Sequence, residues 1–254
     1  MRYSGITIYK PKGAAEEYAK WACNLYNGCS NLCEYCYNRH CQAKALLGKG
    51  EPTTKRDWTE DKLFEQFKKE INKWKWQIIE DGGIHFNFVS DPCLPETYEL
   101  NLDCIRYAVK CGVPVQILTK MSEWIDTLEW QSFLESELFK TNVLRVSFGF
   151  TLTGMDEMEP GASTNDERIN AMQRLYKMGC TTWASIEPVI DVQRSIEMMR
   201  KSAIYCDTFK IGLLSGKKAY TRADVWGLKA TAEEISRIYG SEVIFKKSVR
   251  DFLK

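Results

Sequence analysis

Among its 254 residues the chain holds only two histidines, His40 and His85. Neither stands in a metalloprotease pattern or beside a nucleophile, so hydrolytic chemistry of those kinds has no residues to run on. No apolar run approaches the ~18–20 residues that a membrane span needs, and no membrane partner is expected. The opening residues, MRYSGITIYKPKGAAEEYAK, lack an apolar core followed by a small-residue cleavage site, and a cytoplasmic protein is expected. Internal repeats, low-complexity tracts and long linkers are also missing. The net charge is +1, which excludes a polycation. Both ends are basic and the middle is acidic; solvated surface is the default meaning of that pattern.

Cysteine is not scarce. The chain has ten, and without an export signal they point to metal, catalysis or core packing rather than disulfides. Cys29, Cys33 and Cys36 lie together in GCSNLCEYCY, a C-x3-C-x2-C spacing. Cys23 and Cys41 flank them. Cys93, Cys104, Cys111, Cys180 and Cys206 are scattered and, Cys93 apart, read as small buried hydrophobes. Three clustered thiolates can hold three irons of a [4Fe–4S] cube, which normally takes four cysteines. The remaining iron is then open to a chelating ligand. A structural zinc site is the competing reading. It needs four ligands, and Cys23, Cys41 or His40 would have to complete the set.

Short apolar runs alternate with helical patterns along the rest of the chain. The spacing predicts strands over Trp21–Tyr26, Ile84–Val89, Val113–Leu118, Val143–Phe150, Thr181–Ile186 and Thr208–Leu213. Between them it predicts a long helix bearing Leu63, Phe64, Phe67, Ile71, Trp74 and Ile78. Further helices are predicted over about Glu96–Lys110, Ser122–Phe139, Thr164–Met178, Asp191–Ala203 and Thr231–Tyr239, with a short pair of elements last. Six strands alternating with helices argue for parallel βαβ units wound right-handedly into a barrel or part of one. The site of such a barrel lies at the C-terminal ends of its strands. The cysteine loop follows the first strand. Ser90-Asp91, Thr119-Lys120, Ser147, Glu187-Pro188 and Gly212 fall at or near the ends of the next five. An open-iron cluster there asks for acceptors for an ammonium, which Ser90 and Asp91 can supply. It also asks for donors to a carboxylate, which Lys120 and Ser147 can supply.

These motifs resemble the radical S-adenosylmethionine (SAM) superfamily, and within it the spore photoproduct lyase-like branch, often labelled DNA repair photolyase-like. NLYNGCSNLCEYCY is similar to that branch's cysteine run. Ser90 to Glu96 (SDPCLPE) resembles its turn after the second strand, and Leu118-Thr119-Lys120 the close of its third. Arg145-Val146-Ser147 resembles its fourth-strand serine segment. EPGASTNDERI (Glu159 to Ile169), IEPVID (Ile186 to Asp191) and FKKSVRDFL also look like segments of the branch.

The resemblance implies an α/β fold, an incomplete (βα)6 barrel, as one core domain over 1–254. The cluster loop would lie at 24–40 and a helical end at about 231–254. It implies a [4Fe–4S] cluster on Cys29, Cys33 and Cys36. SAM would lie along the rim, its amino group toward Ser90 and Asp91, its carboxylate toward Lys120 and Ser147, and its adenine near the Tyr35 backbone. Arg168 and Glu187 are further rim candidates; Arg168 reads equally well as a helix-surface charge near Asp166 and Glu167. The implied chemistry is reductive cleavage of SAM to a 5′-deoxyadenosyl radical that abstracts hydrogen, fed by an external one-electron reductant of flavodoxin or ferredoxin type.

Two departures stand out. Cys93 occupies a position where the branch usually has Tyr. The lyase uses a cysteine near its second strand as a hydrogen donor, but at a different position, so Cys93 is either a donor or an inert thiol. No added substrate domain is evident, so thymine-dimer repair does not carry over. A nucleic acid or nucleotide is the first substrate reading, a peptide or small metabolite the second, and a non-catalytic zinc module the third. The lysines and tryptophans of Lys62–Trp76 could bind a single strand, but a barrel-covering helix with a solvated basic face accounts for them better.

Overall fold

The computed structural model describes residues 4–39, 50–215 and 220–254. His40 and Cys41, two of the candidate fourth zinc ligands, lie outside the described residues. Strands β1 (Ile8–Tyr9) and β2 (Ala22–Cys23) pair antiparallel, and β3 (Tyr26–Asn27) pairs with β4 (Thr53–Thr54) as a separate ribbon. There follow α1 (Glu60–Glu80), β5 (Ile84–Phe86), α2 (Tyr98–Lys110), β6 (Val115–Thr119), α3 (Leu128–Glu135) and α4 (Glu137–Lys140). The chain continues through β7 (Val146–Thr151), α5 (Asn165–Lys177), β8 (Thr181–Val189), α6 (Val192–Ser202) and β9 (Thr208–Leu213). It closes with α7 (Arg222–Tyr239), β10 (Glu242–Phe245) and α8 (Lys247–Phe252).

The main sheet has the order β1-β2-β5-β6-β7-β8-β9-β10. From β2 onward every pairing is parallel, so the expected partial α/β barrel is what forms. The six expected strands stand side by side in sequence order. Parallel neighbours need crossover helices, and the helices put their apolar stripes on the sheet. In α1, Leu63, Phe67, Ile71, Trp74 and Ile78 recur at helical spacing and are buried. Phe148 of β7 stacks on Trp124 at 5.7 Å, on the outer face. No helix among the described residues is long and apolar enough to cross a membrane.

Local hydrogen bonding accounts for the differences from expectation. The helix expected over Ser122–Phe139 is broken, because the Thr127 and Ser136 hydroxyls accept from Trp130 N and Phe139 N and restart it twice. β7 starts only at Val146, since Val143–Arg145 is a 3-10 turn. β8 runs on past Glu187-Pro188 through a register shift, where proline is tolerated. α7 begins at Arg222, behind a capping box on Thr221, well before the expected start at about Thr231. The terminal pair contributes β10, a seventh parallel strand.

No backbone ladder joins β1 to β10 among the described residues. The seam is spanned by side chains from the 3-10 segment Gly13–Glu17 and its successor Tyr18. Glu17 Oε2 accepts from Lys247 N at 2.7 Å and lies 3.7 Å from Arg250 Nη2. Tyr18 reaches through to β8, with its hydroxyl 2.6 Å from Ser185 Oγ.

Candidate cofactor site at the barrel rim

The cysteine loop leaves β3 through Gly28, whose φ of 89° only glycine adopts without strain. Cys33 is buried, Cys29 and Cys36 are half-buried, and all three are free thiols. Burial pushes the Cys29 thiol up to about 12. Burial also raises Cys33, against the opposing pull of Lys120. Free thiolates of Cys29 and Cys33 are therefore disfavoured, and a cationic cluster would supply the compensating charge. Among the described residues no three His, Cys, Asp or Glu side chains gather closely enough to hold a metal ion. A cube is a larger body held through several of its irons.

Asp91 ties the loop to the rim. Its Oδ2 accepts from Asn31 Nδ2 at 3.0 Å and from Lys120 N at 2.7 Å. Its Oδ1 accepts from Cys93 N at 2.9 Å and from Thr119 Oγ1 at 2.6 Å. A carboxylate has about four lone-pair sites, so four protein donors fill them. The same carboxylate joins the cysteine loop, the turn after β5 and the end of β6.

The neighbouring Ser90 is different. Its Oγ is buried and has no protein partner, as are Asn31 Oδ1, Asn38 Oδ1 and Asn87 Oδ1. Buried polar atoms are seldom left unpaired. Open acceptors here, with the Lys120 ammonium beside the Tyr35 ring at 5.7 Å, suit a ligand with both an amino and a carboxylate group. On that observation the residues present fit SAM. Lys120 is raised: burial pulls it down, and negative charge on Cys33 and Glu159 more than offsets that.

A second tie runs through Glu159, which the sequence reading quoted within a motif and did not single out. Tyr35 donates its hydroxyl proton to Glu159, whose other oxygen lies 2.6 Å from Arg168 Nη2. Arg168 also donates to Ser163 O and Thr151 O, each at 2.8 Å. It is fully buried, which corrects the surface-charge reading: Arg168 pairs inward with Glu159 and not with Asp166 or Glu167. The segment between them lies against the cysteine loop. Gly161 N donates to Asn31 O at 3.1 Å, and a Cβ on Gly161 would overlap Ser30 O.

The structure does not bring every candidate together. Ser147 is the second residue of β7 and pairs in register with Gln116 of β6, whereas Thr119 is level with Phe150. At ~3.3 Å per residue that leaves Ser147 roughly 13 Å below Lys120. Its late placement near a strand end came from starting β7 too early. Cys93 is 2% exposed and packs in the apolar core. Burial, then Asp91, push its thiol well above the ordinary range. Glu187 lies toward the barrel axis, where it accepts from Tyr18 Oη at 2.5 Å and from Lys246 Nζ.

The sequence reading missed Tyr18, Lys210 and Lys246. A lysine centred in the apolar strand TFKIGL was the visible signal for Lys210.

No family model matches the chain. A relative in Methanocaldococcus jannaschii, an uncharacterized protein, is 26% identical over 179 residues, covering 68% of this chain. The match spans 61% of that relative's length. Among solved structures, spore photoproduct lyase complexed with dinucleoside spore photoproduct superposes with a TM-score of 0.68 at 17% identity. It covers 93% of this chain and 80% of the lyase. Streptococcus suis SuiB bound to S-adenosylmethionine superposes with a TM-score of 0.57 at 13% identity, covering 89% of this chain and 49% of SuiB. The fold is thus the partial α/β barrel of those enzymes.

Proposed function

We propose that the chain is a radical SAM enzyme. Cys29, Cys33 and Cys36 would hold a [4Fe–4S] cluster, and SAM would lie over Ser90 and Lys120. When bound, the pair supplies a one-electron cleavage of SAM and a 5′-deoxyadenosyl radical. The protein's own part is positional. Asp91 and the Tyr35–Glu159–Arg168 chain hold the cysteine loop against the strand ends, and Ser90 leaves an acceptor for the ligand's amino group. The observation that carries the reading is the set of unpartnered buried polar atoms around a three-cysteine loop on the rim. Asp91, with its four donors, acts as the tie and not as the primary ammonium acceptor. An external one-electron donor of flavodoxin or ferredoxin type completes the system.

Anaerobic reconstitution with iron and sulfide tests this. The expected product is a brown protein absorbing near about 400 nm that cleaves SAM after reduction. A colourless protein that retains zinc would overturn the reading in favour of a binding module.

For the substrate, a nucleic acid or nucleotide is the first reading. It is supported by the fold shared with a lyase complexed with dinucleoside spore photoproduct. Modification of a peptide is the second, supported by the fold shared with SuiB bound to precursor peptide SuiA. Salt-dependent binding to oligonucleotides favours the first, and absence of binding at low salt the second.

A further inference from the structure

The barrel axis is lined by polar and aromatic side chains that the cofactor reading does not use. Tyr18 lies 5.6 Å from the ring of His85 and 6.0 Å from that of Trp183. His85 stacks on Phe88 at 4.4 Å. Lys210 Nζ stands 4.4 Å from the Trp183 ring and 5.4 Å from the Tyr18 ring. The indole of Trp183 lies against Gly149, where a Cβ would overlap it.

Charge in this space is unbalanced. Lys246 is paired with Glu187. Lys210 is 7% exposed, and among the described residues no carboxylate lies within ion-pair distance of it. Its contacts are Tyr18 O at 3.4 Å and, with the Gln116 amide turned to satisfy its neighbours, Gln116 Oε1 at 3.0 Å. Buried charges are ordinarily paired.

The same Gln116 orientation fixes the state of His85. The amide nitrogen donates to His85 Nδ1 at 3.1 Å and to Tyr18 O at 3.1 Å. Nδ1 is then an acceptor, and the proton of the neutral ring sits on Nε2. That Nε2 is buried without a partner, as is Trp183 Nε1. The His85 and Trp183 rings are 6.3 Å apart, so two unfilled N–H donors lie close to an ammonium that feels Glu242 only from beyond ion-pair distance.

We propose that Lys210, His85 and Trp183 form the binding site for an oxyanion group of the substrate, a carboxylate or a phosphate, inside the barrel. The inference rests on the enzyme reading above only in calling the bound molecule a substrate. The donors suit planar or tetrahedral oxygen, and the rings of Tyr18 and Phe88 cover the rest of the group. Burial, then the neighbouring Lys246, lower Lys210 to about 8, which leaves it mainly cationic at neutral pH.

The test is calorimetric titration of the reconstituted protein with inorganic phosphate and, separately, acetate. At least one should bind saturably, and Lys210→Met should weaken that binding by about tenfold or more, as expected for a lost charged hydrogen bond. Trp183→Phe should weaken it by a smaller factor and serves if the lysine variant does not fold. Phosphate binding alone marks a phosphate-bearing substrate, acetate alone a carboxylate-bearing one, and both outcomes support the site. Absence of saturable binding by either anion, or affinity unchanged in both variants, overturns it. A brown protein that binds neither anion sinks this inference alone. A colourless protein sinks the cluster reading and leaves the anion result to be read by itself.

Discussion

Arg168 Nη2 lies 2.6 Å from Glu159 Oε2, and both side chains are fully buried. The pair stands between the helix that carries Arg168 and the tyrosine that carries the cluster loop. Removing one member of a buried pair costs more than the pair contributes, because the other charge is left in a poor solvent. Glu159→Gln should therefore lower unfolding free energy by roughly 3 kcal/mol, read by urea denaturation. It should also loosen Tyr35 and reduce iron retained after reconstitution. Wild-type stability in this variant would mean that the tie is ornamental.

Ser90 and Asp91 are adjacent and should respond oppositely. The Ser90 hydroxyl has no protein partner, so Ser90→Ala should change stability by no more than about 0.5 kcal/mol. It should weaken SAM binding by about tenfold, the worth of one hydrogen bond to a charged group. Asp91→Asn turns one of the two acceptor oxygens into a donor facing other donors, and should cost roughly 2–4 kcal/mol in stability. Thermal unfolding and SAM titration on the two variants separate the roles. The assignment fails if Ser90→Ala loses stability while Asp91→Asn keeps it.

His85 links stability to pH. Burial, then Lys210, hold its folded-state value near about 3, against an ordinary 6.5. Between those values the unfolded chain takes up a proton that the folded chain refuses. Stability should fall by about 1.4 kcal/mol for each pH unit below 6.5, levelling off near 3. His85→Gln should flatten that slope when denaturation midpoints are measured from pH 7 to pH 4.

Gly149 is constrained from the barrel side. A Cβ there would overlap the Trp183 indole, whose neighbours in the sheet leave it little room to shift. Gly149→Ala should destabilise by about 1–3 kcal/mol and weaken anion binding through displacement of Trp183. Unchanged thermal stability and anion affinity would count against the close fit.

Much of this was legible in the residues. The short apolar runs located all six central strands, because parallel strands buried on both faces read as near-continuous Val, Ile and Phe stretches. The cysteine loop, Ser90-Asp91 and Lys120 were visible because polar residues ending apolar runs are conspicuous. Strand starts were not. Val143–Arg145 is as apolar as a strand but turns as a 3-10 segment, and that carried Ser147 to the wrong level. Arg168 was ambiguous because burial of a charge depends on a partner nine residues away. Tyr18 was invisible for a related reason: its partners, Ser185 and Glu187, are brought to it only by closure of the sheet.

The seam between β1 and β10 has a mechanical consequence. Every other junction from β2 onward is a row of peptide hydrogen bonds that lets go as a unit. At the seam, separate side-chain contacts from Glu17 and Tyr18 do the holding, and each can release singly. Among the described residues the barrel is therefore a split ring, closed at one place by side chains and everywhere else from β2 onward by ladders. The residue that closes the seam, Tyr18, also packs against Lys210, so the closure of the ring and the wall of the proposed anion site depend on one side chain.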